Sequence, residues 1–420
     1  MQDEFAALAR EISTMVEPGY DFLTLWGQSG GGACSLRLTA GSSAERVPLS
    51  HYPTTANALS GERPAVFELR VEADGTFEAR MTDDIILEGA GYLPPIYTVV
   101  QKPRYHPPSE HTATSLADVE AVIGVSLPAE VHELFASGAE TIGDDVRLLG
   151  IDDILYYWNA WAHQFGYYPQ EWERPVQYLG PPGAVRVVQF DPKWVPIAFN
   201  ACADLVCVDL APGPSGRVGQ LIQIAGEVPL TYLADSVAGW VPPADFPDYD
   251  HLSAHRPPDV AELPDTIQDL NLDDPSDRDL GLLARLTSLR DLVIGGGVVR
   301  LGGLSHLPLE RIDVAGDEIE LPACKTLRAL VVRSDARVEL PSLPSLRVLD
   351  VSGANVDVES LPFVEYLVLN FDQWQRCSQR PAAASLTGEF SLARLFDWAR
   401  GLGVELDCQV FSGSVFPALP

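Results

Sequence analysis

The segment of this chain most like a phosphate cradle is GQSGGGAC, Gly27 to Cys34. A phosphate loop needs glycines so that backbone N–H groups can approach the anion, and a Lys-Ser/Thr pair to complete the site. The glycines are present and the Lys-Ser/Thr pair is not, so the segment reads as a hairpin turn. Gly295–Gly297 follows an apolar run and reads as a turn as well. No HExxH or DxDxDG string occurs, which removes the common signatures of a zinc hydrolase and a calcium loop. His106, His111, His251 and His255 lie among prolines, where loops carry them better than one helix face would. The neighbours Asp83 and Asp84, Asp144 and Asp145, and Asp152 and Asp153 make poor acid–base dyads, because adjacent strand residues point to opposite faces. They read as solvated faces. Six cysteines, at 34, 202, 207, 324, 377 and 408, include no CxxC pair. Scattered thiols of this kind predict buried cysteines in a reducing compartment, with no metal or disulfide framework. No catalytic residue, cofactor or metal is expected.

Charge is the stronger signal. The chain has 28 Lys and Arg against 59 Asp and Glu, a formal net charge of −31 over 420 residues. Basic and acidic counts are 6 and 14 in residues 1–100, 7 and 20 in 101–250, and 15 and 25 in 251–420, so the acidity is spread along the whole chain. A nucleic-acid backbone or an anionic membrane would be repelled, which argues against both as partners. A basic protein would be steered in, and the same charge also serves plain solubility. The start, MQDEFAALAREI, has neither the basic opening nor the apolar core of a signal peptide. No run approaches the roughly 18 apolar residues of a membrane helix, so a cytoplasmic protein is expected.

These features need elements to hold them. At roughly 150 residues per domain the length implies two to four domains. Two Pro-rich breaks, Lys102–His111 and Val241–Asp265, cannot continue a helix or a central strand. They predict an α+β multidomain chain: a domain over 1–100, a linker over 101–113, a domain over 114–242, a linker over 243–265, a repeat array over 266–386 and a helix–strand cap over 387–420. In the first domain Phe5, Leu8, Ala9, Ile12, Met15 and Val16 follow the helical period. The strands DFLTLWGQ, CSLRLTA and AVFELRVE follow, and the last turns through ADGT into FEARMT. A helix packed on an antiparallel sheet is expected, and the pattern resembles YezG-like antitoxin domains.

In the middle segment, SLADVEAVIGVSLPAEVHELFASGA, Ser115 is placed to cap a helix with Asp118 three residues on. Pro128 suits the first turn of a second helix and Gly138 its end. VRLLGIDDILYYWNAW then supplies a short strand and a helix, and WVPIAF, LVCVDLAPG and GQLIQI supply three strands. This order over about residues 114–242 resembles the SUKH superfamily. Trp194, Pro196, Ile197, Asp209, Gly219 and Gln220 occupy the motif positions; the NACADL turn stands where relatives often carry Gly-Asp turns. The resemblance implies a SUKH-like α+β fold and, for bacterial members, an immunity protein that binds and neutralises a toxin. Trp194, Ile197, Val206 and Val208 are expected in the core. Asp209 is placed to cap its turn, with a partner contact as the alternative.

The third segment repeats L-x-x-L-x-φ, with φ apolar, from Ile267, Leu289, Leu309, Leu327, Leu346 and Val364, at spacings of 22, 20, 18, 19 and 18. Each unit predicts one strand whose leucines enter a core that no single unit can bury. The pattern resembles a short leucine-rich-repeat solenoid, without the usual turn Asn. Its concave positions would be Asp291, Arg311, Asp313, Val331, Arg333, Asp350, Tyr366 and Asn370. FSLARLFDWARGLG and VELDCQVF read as a capping helix and strand.

Two surfaces therefore compete for partner binding. One is the aromatic stretch Tyr156–Trp172 with its flanking carboxylates: Asp152, Asp153, Trp158, Trp161, Tyr167, Glu171 and Trp172, joined by Asp209. Aromatic anchors dominate interface hot spots, so a partly exposed cluster rimmed by acid would suit a basic toxin domain, such as a nuclease. The other is the concave repeat face, which would make the protein a non-enzymatic interaction scaffold. An enzyme is the third class, without a nucleophile–base signature to support it.

Overall fold

The computed structural model describes residues 1–16, 20–30, 33–41, 65–88, 95–103, 112–142, 146–200, 204–224, 229–238, 240–241, 249–257 and 259–415. His106, His111, Asp144, Asp145 and Cys202 lie outside them, as do most of the first Pro-rich break and part of the NACADL turn; the side chains of Cys34 and Tyr167 are likewise outside the description. Two compact units form, Met1–Lys102 with Glu365–Pro420, and Pro103–Val364.

The first unit opens with α1 (Gln2–Met15), whose Phe5, Leu8, Ala9 and Ile12 are fully buried at helical spacing. They pack on an antiparallel sheet of β1 (Phe22–Gly30), β2 (Ala33–Ala40), β3 (Ala65–Glu72) and β4 (Thr76–Thr82), in the order β2-β1-β3-β4. The β3–β4 turn forms because the Asp74 carboxylate accepts from the Thr76 N–H at 2.8 Å and its hydroxyl at 2.7 Å. β1 and β2 pair out to Gly30 and Ala33, and the expected turn at Gly31 and Gly32 lies outside the described residues. β5 (Ile86–Glu88) and β6 (Ile96–Val100) follow.

The second unit begins with α2 (Leu116–Ile123), where Ser115 and Asp118 form a reciprocal capping box, and α3 (Ala129–Ala136) after Pro128. β7 (Thr141–Ile142) and β8 (Val146–Leu148) lead into α4 (Ile151–Tyr167). β9 (Tyr178–Leu179), β10 (Trp194–Phe199), β11 (Leu205–Asp209), β12 (Gln220–Ile224) and β13 (Leu230–Ala234) complete a seven-stranded sheet in the order β7-β8-β10-β11-β12-β13-β9. Val119, Val131, Ile154 and Leu155 from the helices share one core with Trp194, Ile197, Val206 and Val208 from the sheet. The loop after β11 needs its glycines for close approach: a Cβ on Gly216 would sit 1.9 Å from the Ala184 carbonyl oxygen.

The same unit continues into parallel strands β14 (Ser253–His255), β15 (Asp269–Asp273), β16 (Asp291–Arg300), β17 (Arg311–Glu320), β18 (Ala329–Arg337) and β19 (Val348–Asn355), with α5 (Asp277–Leu283) between β15 and β16. Leu270, Leu292, Ile312, Leu330 and Leu349 stand in one cross-strand row and are fully buried. Leu272, Ile294, Val314 and Val332 form a second row. Burying each such side chain contributes about 1.5–3 kcal/mol, and only stacked neighbours provide the cover. Two expectations are corrected here. The second break, Val241–Asp265, is not wholly a linker, because β14 within it pairs with β15. Gly295–Gly297 is not a turn but lies inside β16, where Gly296 pairs with Gly316 at close backbone approach.

After Val364 the chain rejoins the first unit through β20 (Tyr366–Asn370), α6 (Phe371–Arg376), β21 (Ala383–Thr387), α7 (Leu392–Gly401) and β22 (Gln409–Ser414). β21 pairs with β6, and β22 extends the first sheet by pairing with β4. The strand of the sixth repeat, β20, pairs with β21, and residues 365–420 group with the N-terminal unit.

Candidate partner-binding surfaces

The motif positions of the middle segment form one row. Trp194 pairs in register with Asp209, and Asp209 with Gln220, across β10, β11 and β12. The Asp209 carboxylate is fully buried and accepts from Trp194 Nε1 at 3.0 Å, Gln220 Nε2 at 2.8 Å and the Ala211 N–H at 2.9 Å. Gln220 also donates to the Ala184 carbonyl at 2.8 Å and accepts from the Arg217 N–H at 2.9 Å. Burial raises the Asp209 carboxyl above the ordinary carboxylate range, against the hydrogen bonds that favour its charge. The row ties three strands and a loop together, and the expectation of a partner contact at Asp209 is corrected: no part of it reaches the surface.

The aromatic stretch divides sharply. Trp158 and Trp172 are buried, the former donating from Nε1 to the Pro192 carbonyl at 3.0 Å. Trp158, Ala162, Phe165 and Phe190 form a small core of their own, and half-buried Trp161 tilts onto Phe165. A role for Trp158 and Trp172 as exposed anchors is therefore corrected as well: helical spacing turns Trp158 inward, and Trp172, beyond the end of α4, is buried too. Half-buried Glu171 pairs with Arg174 at 3.7 Å. What remains outward on α4 is Asp152, Asp153, Tyr156, Ala160, His163 and Gln164. Tyr156 is 68% exposed, the ring that sequence reasoning left out; its place one turn after Asp152 was the available signal. α4 contains no Lys or Arg, and residues 111–242 carry 16 carboxylates against 5 Lys and Arg, a net of −11.

The parallel sheet carries a second charged surface. Arg311 reaches Asp291 at 3.0 Å and Asp313 at 3.2 Å, and Arg333 reaches Asp313 at 2.6 Å. Asp350 accepts from the Ser352 N–H and hydroxyl at 3.0 and 2.8 Å. Asp291 is only 9% exposed, and burial pushes its carboxyl up to about 6 despite Arg311 beside it. Asp269 and Asp350 are raised by burial too. Val331 is half-buried and stands in one cross-strand row between Asp313 and Asp350. Six of the eight expected concave positions are thus brought onto one sheet. Tyr366 and Asn370 lie on β20 and are grouped with the first unit; Tyr366 is buried against Ser385, and Asn370 caps α6 by accepting from the Gln373 N–H. Among the described residues no cluster of His, Cys, Asp and Glu could hold a metal ion, and no helix is long and apolar enough to cross a membrane.

Residues 111–242 match the SMI1 / KNR4 family (SUKH-1), which supports assigning this α+β domain to the SUKH superfamily. Three fungal proteins share parts of the sequence. The cell wall biosynthesis/cell cycle regulator smi1 of Schizosaccharomyces pombe is 48% identical over 10% of this chain and 8% of its own length. The KNR4/SMI1 homolog of Yarrowia lipolytica is 40% identical over 29% and 24%, and the cell wall assembly regulator SMI1 of Saccharomyces cerevisiae 34% identical over 18% and 18%. The chain therefore spans at most about a quarter of these relatives.

Proposed function

We propose that this chain is a non-enzymatic, cytoplasmic immunity protein that neutralises a polymorphic or contact-dependent toxin by covering a basic, nuclease-type active site. The observation that carries this reading is the outward face of α4, where Asp152, Asp153 and Tyr156 stand together without a cation on the helix, in a domain of net charge −11. A toxin cleft built to bind phosphates presents Lys and Arg to such a face, and a central Tyr supplies the anchor. Nucleic acid and membrane are not partners in this reading, because the acidity repels both. The N-terminal helix on its sheet is read as a YezG-like antitoxin domain, and the parallel strands as a leucine-rich-repeat solenoid.

A second reading, a regulatory interaction scaffold, is favoured by the likeness to fungal cell wall regulators and by the ladder of Asp and Arg on the parallel sheet. Co-expression separates the two. Cells producing the toxin domain encoded beside this gene should grow when the chain is present and stop when Asp152, Asp153 and Tyr156 are replaced by Lys, Lys and Ala. If wild-type chain leaves growth arrested, the immunity reading is abandoned in favour of the scaffold.

A further inference from the structure

The parallel sheet has a rim, the residues just before each strand: Gln268, Arg290, Glu310 and Arg328. Their backbones are linked in series, each N–H donating to the carbonyl of the preceding rim residue, at 2.8 to 2.9 Å. Their side chains face the segment of the SUKH domain that leads into β9. The Gln268 carboxamide brackets Tyr178 as another strand would, accepting from its N–H at 2.9 Å and donating to its carbonyl at 2.9 Å. Arg290 donates from Nη1 to the Val176 carbonyl at 2.7 Å. Its remaining donors grip Glu310 as a fork, with both carboxylate oxygens 2.8 Å from Nη2, so Glu310 aims the guanidinium. Arg328 pairs with Glu173 at 3.5 Å. Glu173, where the segment begins, holds a left-handed backbone at φ 60°, a conformation that surrounding contacts must impose on a residue with a side chain.

β9 needs such a partner. It is two residues long, lies at the sheet's end and pairs only with β13 among the described residues. The geometry assigns to the rim a binding site for extended peptide backbone, occupied in this chain by its own segment Glu173–Tyr178, which locks the SUKH domain and the parallel sheet into one cooperative body. Recognition runs through carbonyl and amide groups, so it reads conformation more than side-chain identity, with the Glu173–Arg328 pair setting register. This holds whether the chain neutralises a toxin or acts as a scaffold.

Hydrogen exchange on the full chain tests it. Gln268→Ala with Arg290→Lys should speed exchange at the Tyr178 and Leu179 amides about tenfold or more, with β11 and β17 unchanged. Glu173→Arg and Arg328→Glu should each speed it, and the charge-reversed pair should restore much of the protection. Cooperativity has its own readout. Leu330→Ala, which weakens only the parallel sheet, should speed Tyr178 exchange when the rim is intact and leave it unaffected in the rim variant. Unchanged exchange at Tyr178 in the rim variant, no rescue by charge reversal, or transmission of Leu330→Ala despite the broken rim would each overturn the proposal.

Discussion

At the scale of single residues, the buried carboxylates make the sharpest predictions. Asp209 is surrounded by three donors, so Asp209→Ala would leave Trp194 Nε1, the Ala211 N–H and one of the two N–H groups of the Gln220 amide without an acceptor, the other still donating to the Ala184 carbonyl. Leaving buried donors unsatisfied costs about 1–3 kcal/mol per group, so urea unfolding should show a loss of at least 2 kcal/mol. A loss below half a kcal/mol would mean that the row does not hold the sheet. Asp291 acts in the opposite direction. Its folded carboxyl titrates near 6, against about 3.9 in an unfolded chain. Between those values the folded form holds more protons, so this residue makes stability fall as pH rises from 4 to 6. Asp291→Asn should flatten that decline and raise the melting temperature at pH 7; a variant with the wild-type slope would show that Arg311 fully offsets the burial. The row of Trp194, Asp209 and Gln220 was legible in the sequence as a family pattern. That it is a closed hydrogen-bond network was not, since register across three strands brings together residues that are 15 and 11 positions apart.

At the scale of elements, periodicity carried most of the reading. The capping box at Ser115, the helix from Leu392 and the stacked rows of leucines follow from local spacing, and each appears where expected. The failures share one physical cause, long-range pairing. β14 lay hidden in a Pro-rich stretch because its strand character comes from β15, and the pairing of β21 with β6 and of β22 with β4 joins residues more than 280 positions apart. The division of the aromatic stretch was readable in part: a helix of period 3.6 that turns Trp158 and Phe165 inward turns Asp152 and Tyr156 outward. Replacing Asp152 and Asp153 by Lys and Tyr156 by Ala should therefore leave the melting temperature within about 2 °C, since surface changes stay within about 0.5 kcal/mol. A large drop in melting temperature would place these side chains in the fold and remove them as a partner surface.

At the scale of the whole molecule, acidity and domain coupling shape what can be asked. Removing residues 266–420 does not separate an immunity domain from a scaffold, because it also strips Gln268 from Tyr178 and Arg290 from Val176 and takes β22 from β4 and β21 from β6. Point substitutions on the full chain are the cleaner instrument. A surface of net charge −31 should also make partner capture fast and salt-sensitive, with association slowing markedly between 50 and 500 mM salt while dissociation changes little. The measurement that bears most directly on the central claim is calorimetric titration of the purified full chain with a candidate nuclease-type toxin domain, for the wild type and the Asp152→Lys, Asp153→Lys, Tyr156→Ala variant. The account predicts a one-to-one complex for the wild type and at least a hundredfold weaker binding for the folded variant, about 2.7 kcal/mol. Equal affinity of the two would contradict α4 as the working surface, and no binding by the wild type would contradict toxin neutralisation itself.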